Sequence, residues 1–129
     1  MRLLLDTHIF LALIEKRTGG FDSGIRRLLA DPDGDFHMSV ASLWEIAIKS
    51  RLGKLRLTPD LRTLPDLIAD LGISLVPISE HHALAAVNPE PQTRDPFDRM
   101  LLAQCQVEDL RLVTIDRALI AHPLAAKAR

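Results

Sequence analysis

Five acids, Asp6, Glu45, Asp95, Asp98 and Asp116, are the residues whose type and placing could do chemistry. Asp6 closes the apolar run Leu3-Leu4-Leu5, and Asp116 closes Leu112-Val113-Thr114-Ile115. Asp95 and Asp98 open a helical stretch after a loop, and Glu45 falls in the first turn of another helix. Ligand sites of open α/β sheets form beyond the carboxyl ends of the strands. Acids from distant parts of the chain therefore converge on one edge. Like charges gathered there repel and raise each other's pKa, and a cation relieves that cost. An oxygen donor set with few histidines or thiols matches Mg²⁺ or Mn²⁺ rather than zinc.

Each acid also has a purely structural reading. Asp95 and Asp98 have a spacing that suits a helix cap, Glu45 could complete a cap begun by Ser42, and Asp116 could cap a short final helix. Asp6 is the hardest to explain that way, because a carboxylate directly after three leucines is at least partly buried and a buried charge demands a partner. Arg94, Arg99 and Arg117 flank the acidic positions and could hold a phosphate beside a metal. The basic stretch Lys49, Arg51, Lys54 and Arg56 reads as a solvated face. Trp44 and Cys105 read as packed residues, and His81-His82 as surface or satisfied histidines rather than ligands.

The elements that must position these acids follow from periodicity and turn residues. Arg2 to Asp6 suits a strand buried on both faces, and Ile9, Phe10, Leu13 and Ile14 recur at helical spacing directly after it. A second helix through Ile25, Leu28 and Leu29 stops at Asp31-Pro32-Asp33-Gly34, a strong turn signal. A strand over Phe36–Val40 is expected next. Ser42 should then cap a helix with Glu45 at its third position, and Gly53 should end it. Further on, the pattern predicts a helix from Leu64 to Leu71, a strand from Ile73 to Ile78, and a helix capped by Ser79 and running through Val87. Asn88 to Arg94 is a loop, Asp95 caps a helix with Pro96 at its first position, and Leu110 to Ile115 is the last strand. Strands alternating with helices imply one domain, residues 1–129, built as a three-layer α/β/α sandwich around a mainly parallel sheet.

Composition narrows the function. A hydrophobic share of 47% over 129 residues is ample for a core, which excludes a disordered tail or a charged linker. Aromatic residues make up 4% with no Tyr, fewer rings than a base-stacking platform for single strands wants, so the composition argues against that mode of nucleic-acid binding. Lys and Arg number 16 against 17 Asp and Glu, so a polyanion could be held only through local patches or a bound metal. The single Cys excludes an internal disulfide and a thiolate zinc site, and fits a reducing cytoplasm. Arg2-Leu3-Leu4-Leu5 begins like a signal peptide, but Asp6 and His8 interrupt it and no apolar run approaches the ~18 residues of a membrane span.

Four segments together resemble PIN-domain proteins, and more closely the toxin half of VapBC-type toxin–antitoxin pairs. They are Leu4-Leu5-Asp6-Thr7-His8, Ser42-Leu43-Trp44-Glu45-Ile46-Ala47-Ile48-Lys49, Arg94-Asp95-Pro96-Phe97-Asp98-Arg99-Met100-Leu101 and Leu112-Val113-Thr114-Ile115-Asp116. The resemblance spans nearly the whole chain in the family's order. It implies a Mg²⁺-dependent endoribonuclease, dimeric or bound to a cognate antitoxin. Asp6, Glu45, Asp98 and Asp116 match the family's acidic quartet, with Asp6, Asp98 and Asp116 as metal ligands. Thr7 and Thr114 match the hydroxyl residues that adjoin the site, and Asp95 is an extra acid beside it. A cation held there would activate water and stabilise charge on the phosphate during in-line attack.

Two other α/β classes fit less well. A receiver domain needs adjacent acids after its first strand and a Lys after its last, where this chain has Asp6 alone and Asp116. Haloacid-dehalogenase-type phosphatases need a second acid two residues after the first, and His8 stands there. A non-catalytic module, receiver-like or sequestering, stays open as the alternative.

Overall fold

The computed structural model describes residues 1–128. Four strands, β1 (Arg2–Leu5), β2 (Asp35–Ser39), β3 (Ser74–Val76) and β4 (Arg111–Val113), form one sheet in the order β3-β2-β1-β4, and every pairing is parallel. Six helices connect them: α1 (Thr7–Ile14), α2 (Ser23–Ala30), α3 (Val40–Arg51), α4 (Leu64–Asp70), α5 (Glu80–Leu84) and α6 (Pro96–Glu108).

β1 explains the layering. Successive side chains of a strand point to opposite faces, and Leu3, Leu4 and Leu5 are all buried. Leu3 and Leu5 pack with Ile9 and Phe10 of α1, Leu28 of α2, Ile46 of α3 and Ile68 of α4. Leu4 packs on the other side with Leu101, Leu102 and Cys105 of α6. The sheet is therefore sandwiched, as expected for a strand that is apolar at every position. Beyond β4, the backbone of Leu112 exchanges hydrogen bonds of 2.8 Å with Leu124 and Ala126, so the C-terminal segment covers an edge that would otherwise be open.

The strand order sets the site. The chain runs β1 to β2 to β3 outward on one side, then returns so that β4 lies on the other side of β1. The carboxyl ends of β1 and β4 meet at this reversal, with Leu5 in register with Val113. That is where α/β sheets open a crevice for ligands.

Several boundaries differ from the sequence expectation. β2 ends at Ser39, and α3 starts at Val40 with Ser39, not Ser42, as its cap: the Ser39 hydroxyl accepts from the Ala41 N–H at 3.0 Å. Ser42 is buried in the first turn, and Glu45 lies too far along to form a capping box. β3 covers only Ser74–Val76, and α5 stops at Leu84 instead of reaching Val87. The last strand ends at Val113 because Thr114 turns the chain, as described below. Gly53 and Gly72 follow α3 and α4 with φ of 71° and 75°, the left-handed geometry that glycine adopts without strain. Among the described residues no helix is long and apolar enough to cross a membrane.

Candidate active site

Asp6 is the innermost acid. Its N–H bonds to the Val113 carbonyl at 3.0 Å, which continues the β1–β4 ladder by one residue. Its side chain then caps α1, with Oδ1 accepting from the Thr7 N–H at 2.7 Å and Oδ2 accepting from the Thr114 hydroxyl at 2.7 Å. Only 4% of the residue is exposed. Burial raises its pKa, against the lowering effect of the Thr114 and Thr7 hydrogen bonds and the nearby His8, while the Glu45 charge adds to the rise.

Thr114 joins two of the acids. Its hydroxyl donates to Asp6 and accepts from the Asp116 N–H at 3.0 Å. Asp116 Oδ1 in turn accepts from the Ala118 N–H at 2.8 Å, so Asp116 caps the turn that follows as well as facing the other acids. Thr93 does the same for the third acid. Its hydroxyl donates to Asp98 Oδ2 at 3.1 Å and accepts from the Asp95 N–H at 3.2 Å. Asp95 Oδ1 caps α6 through the Phe97 N–H at 2.8 Å, with Pro96 at the start as expected. Thr93 was absent from the sequence expectation, although Thr93-Arg94-Asp95 and Thr114-Ile115-Asp116 share the same Thr-x-Asp turn signal.

Asp98 carries a strongly raised carboxyl. Its pKa rises to about 6, chiefly from partial burial, then from the charges of Asp95, Asp6 and Asp116, against the Thr93 hydrogen bond. Glu45 reaches the same edge from α3 and is mostly buried. Its carboxylate accepts from Lys49 Nζ at 2.9 Å, one helical turn on. The Glu45 hydrogen bond raises the Lys49 pKa against partial desolvation, and the charges of Glu45, Asp95 and Asp98 add to the rise. Thr7 donates its hydroxyl to Ser42 at 2.9 Å, which ties the start of α1 to the first turn of α3. Ser42 is thus a site neighbour rather than a cap.

The three arginines divide. Arg99 does not extend toward the acids: Nε donates to the Thr93 carbonyl at 2.8 Å, and the other nitrogens bond to the Pro91 carbonyl and to Glu90. It straps the loop that carries Thr93. Arg94 is exposed. Arg117 is exposed and lines a cavity of about 200 Å³ with Glu90, Gln92 and His122. Trp44 departs most from expectation. It does not pack inside but stands 60% exposed, edge-on to Phe97 with ring centroids 5.7 Å apart. His82 is buried and satisfied, between the Ser79 N–H and Glu108, and Cys105 lies in the core with its thiol pushed up to about 12 by burial.

The donor set fits a hard divalent cation in type and charge, since all the side chains offered at this edge are carboxylates. Among the described residues no three acids, histidines or thiols are drawn close enough to grip one ion as they stand.

The chain is a parallel α/β sandwich with Asp6 and Asp116 just past the carboxyl ends of the neighbouring strands β1 and β4. The PIN-domain family profile matches residues 3–123, and the chain belongs to that family. PIN domains are in general metal-dependent nucleases. A toxin–antitoxin complex from Klebsiella pneumoniae contains a chain of similar structure, with a TM-score of 0.64 and 20% identity, covering 96% of this chain and 95% of that one. No curated protein matches significantly.

Proposed function

We propose that the protein is a Mg²⁺-dependent endoribonuclease and the toxin of a VapBC-type toxin–antitoxin pair. The observation that carries the reading is the acidic edge itself, where Thr114 links the Asp6 carboxylate to the Asp116 N–H, and where Asp98, raised to about 6 by burial and then by Asp95, also feels Asp6 and Asp116. The likeness in fold to a chain of a toxin–antitoxin complex supports an antitoxin partner.

In this reading Asp6, Asp98 and Asp116 hold the cation, Mg²⁺ or in its place Mn²⁺. When bound, the cation supplies Lewis-acid stabilisation of the phosphate charge and activates water for in-line attack. The protein's own groups do the rest. Thr114 and the Thr7 N–H fix both oxygens of Asp6 and hold the carboxylate in one orientation. Thr93 and Asp95 do this for the start of α6. Glu45, held by Lys49, orients the attacking water and takes its proton. Arg94 and Arg117 are free to reach RNA phosphates, whereas Arg99 acts on substrate only through the loop it straps. The whole chain acts as one domain in the cytoplasm, as a homodimer or in complex with the antitoxin.

Incubation of the pure protein with structured RNA tests this directly. EDTA should abolish cleavage, Mg²⁺ or Mn²⁺ should restore it, and Ca²⁺ should do so poorly, because the donors are all hard oxygens. Full activity in excess chelator removes the metal assignment. Tight RNA binding without cleavage in Mg²⁺ favours the sequestering alternative.

A further inference from the structure

We infer that His122 is a positioning residue of the acidic edge: its imidazole clamps the turn that begins at Asp116 to the loop that delivers Thr93 to Asp98. This role rests on the nuclease reading above and adds to it a residue outside the acids on which their mutual placement depends. The edge is assembled from two halves. Asp6, Thr114 and Asp116 stand on β1 and on the chain just after β4, joined through the Thr114 hydroxyl. Thr93, Asp95 and Asp98 stand on the 88–94 loop and the start of α6, joined through the Thr93 hydroxyl. Neither threonine reaches across to the other half.

His122 does. The Leu124 N–H can only donate, so Nδ1, 3.1 Å from it, accepts. Nε2 therefore carries the proton and donates to the Pro89 carbonyl at 2.9 Å. Behind the ring, the turn is bonded back to Asp116. The Asp116 carbonyl accepts from the Leu119 and Ile120 N–H groups at 2.9 and 3.0 Å, and the Leu119 carbonyl accepts from the His122 N–H at 3.0 Å. In front of the ring, Pro89 opens the loop that Arg99 fastens at Pro91 and Thr93. A shift of either segment is thus passed on to an acid. Among the described residues, the His122–Pro89 bond is the one hydrogen bond or ion pair between residues 88–94 and residues 114–125. Beside it the two segments leave a cavity of about 200 Å³, with Glu90 and Gln92 on one wall and Arg117 and Ala121 on the other. A gap of that size offers little packing to take over from the bond.

Three full-length variants separate the two bonds of the ring. His122→Ala removes both. In His122→Gln the amide nitrogen reaches the place of Nε2 and keeps the bond to Pro89. In His122→Asn the amide oxygen takes the place of Nδ1 and keeps only the bond from Leu124. Each is compared with wild type by hydrogen exchange in EDTA, by calorimetric titration with Mg²⁺ alone, and by RNA cleavage at Mg²⁺ below its Kd. His122→Ala and His122→Asn should speed exchange on both sides of the clamp, at Ala118 and Leu119 and at Asp95. They should weaken Mg²⁺ binding about tenfold, the lower end of what supports of metal ligands contribute, and lower kcat by a similar factor with KM for RNA unchanged. His122→Gln should recover most of each. Recovery by His122→Asn and not by His122→Gln overturns the inference, since it makes the ring a support for the C-terminal segment alone. So does wild-type Mg²⁺ affinity and kcat in His122→Ala, which leaves the nuclease reading standing. If wild type itself neither binds Mg²⁺ nor cleaves RNA, the nuclease reading falls and exchange decides the clamp. Quickened together at Ala118 and Asp95 in His122→Ala and His122→Asn, it stands; unchanged at either, it falls.

Discussion

Asp98 carries a measurable tension between stability and function. Its carboxyl is raised to about 6 in the folded chain, against an ordinary value near 3.8. A group whose folded pKa is raised holds its proton more tightly when folded. In metal-free protein its ionisation therefore costs stability above about pH 6, and the cost disappears as pH falls from about 6 toward 3.8. Asp98→Asn removes the charge, and its amide oxygen can still accept from Thr93. In EDTA at pH 7.5 the variant should melt above wild type, and the gap should fall to about half at pH 5 and close near pH 3.8. Cleavage should fall by about two orders of magnitude or more, because a ligand of the proposed cation is lost. Mg²⁺ at a hundred times its Kd should add about 2.7 kcal/mol to wild type and less to the variant. Calorimetry of both proteins, with EDTA and with Mg²⁺, checks the melts, and an RNA-cleavage assay in Mg²⁺ checks the activity. A purely capping role for Asp98 predicts equal melts and surviving activity.

Elements bring these residues together, and here the chain was partly legible in advance. Asp6 and Asp116 could be placed because uninterrupted apolar runs end on them, and a parallel sheet puts such ends on one edge. Asp95 and Pro96 announced the start of α6 through local capping chemistry alone. The start of α3 was misplaced because Ser39 and Ser42 both precede apolar residues, and strand β2 runs into the helix with no loop to separate them. Ser42-x-x-Glu45 satisfies the capping-box pattern, but the true turn begins three residues earlier. Trp44 was read as packed on its apolar character. Yet the large side chain that α3 buries, Ile46, lies about 200° around the helix from it, and on Trp44's own side only the small Ala41 is buried. Arg99 could not be assigned from sequence, because its partners exist only once the 88–94 loop folds back. That loop supports a prediction: Arg99→Ala removes a charge-assisted clamp worth about 1–2 kcal/mol. Hydrogen exchange should quicken around Thr93, and kcat should fall several-fold with little change in KM. A large rise in KM with unchanged exchange would return Arg99 to the substrate.

For the whole molecule, the acidic edge is a poor surface for RNA and a good one for a basic side chain. Lys49 already shows the principle within the chain, since it pairs with Glu45 and feels the charges of Asp95 and Asp98. An antitoxin that silences the enzyme by occupying the same edge would place an Arg or Lys among Asp6, Asp98 and Asp116 and cover nearby apolar surface such as Ile115, which is 48% exposed. A cation of the protein and a cation of the solvent then compete for the same carboxylates. Linkage makes that competition reciprocal: the factor by which antitoxin weakens Mg²⁺ binding is the factor by which Mg²⁺ weakens antitoxin binding. Titrating antitoxin into the toxin in EDTA and in saturating Mg²⁺ should give affinities that differ about tenfold or more, with the tighter binding in EDTA, a coupling of about 1.4 kcal/mol. Replacing the inserted Arg or Lys of the antitoxin should remove the difference while leaving the apolar contacts. Equal affinities in both buffers, with cleavage still inhibited, would mean that the antitoxin blocks the path of RNA without entering the acidic edge.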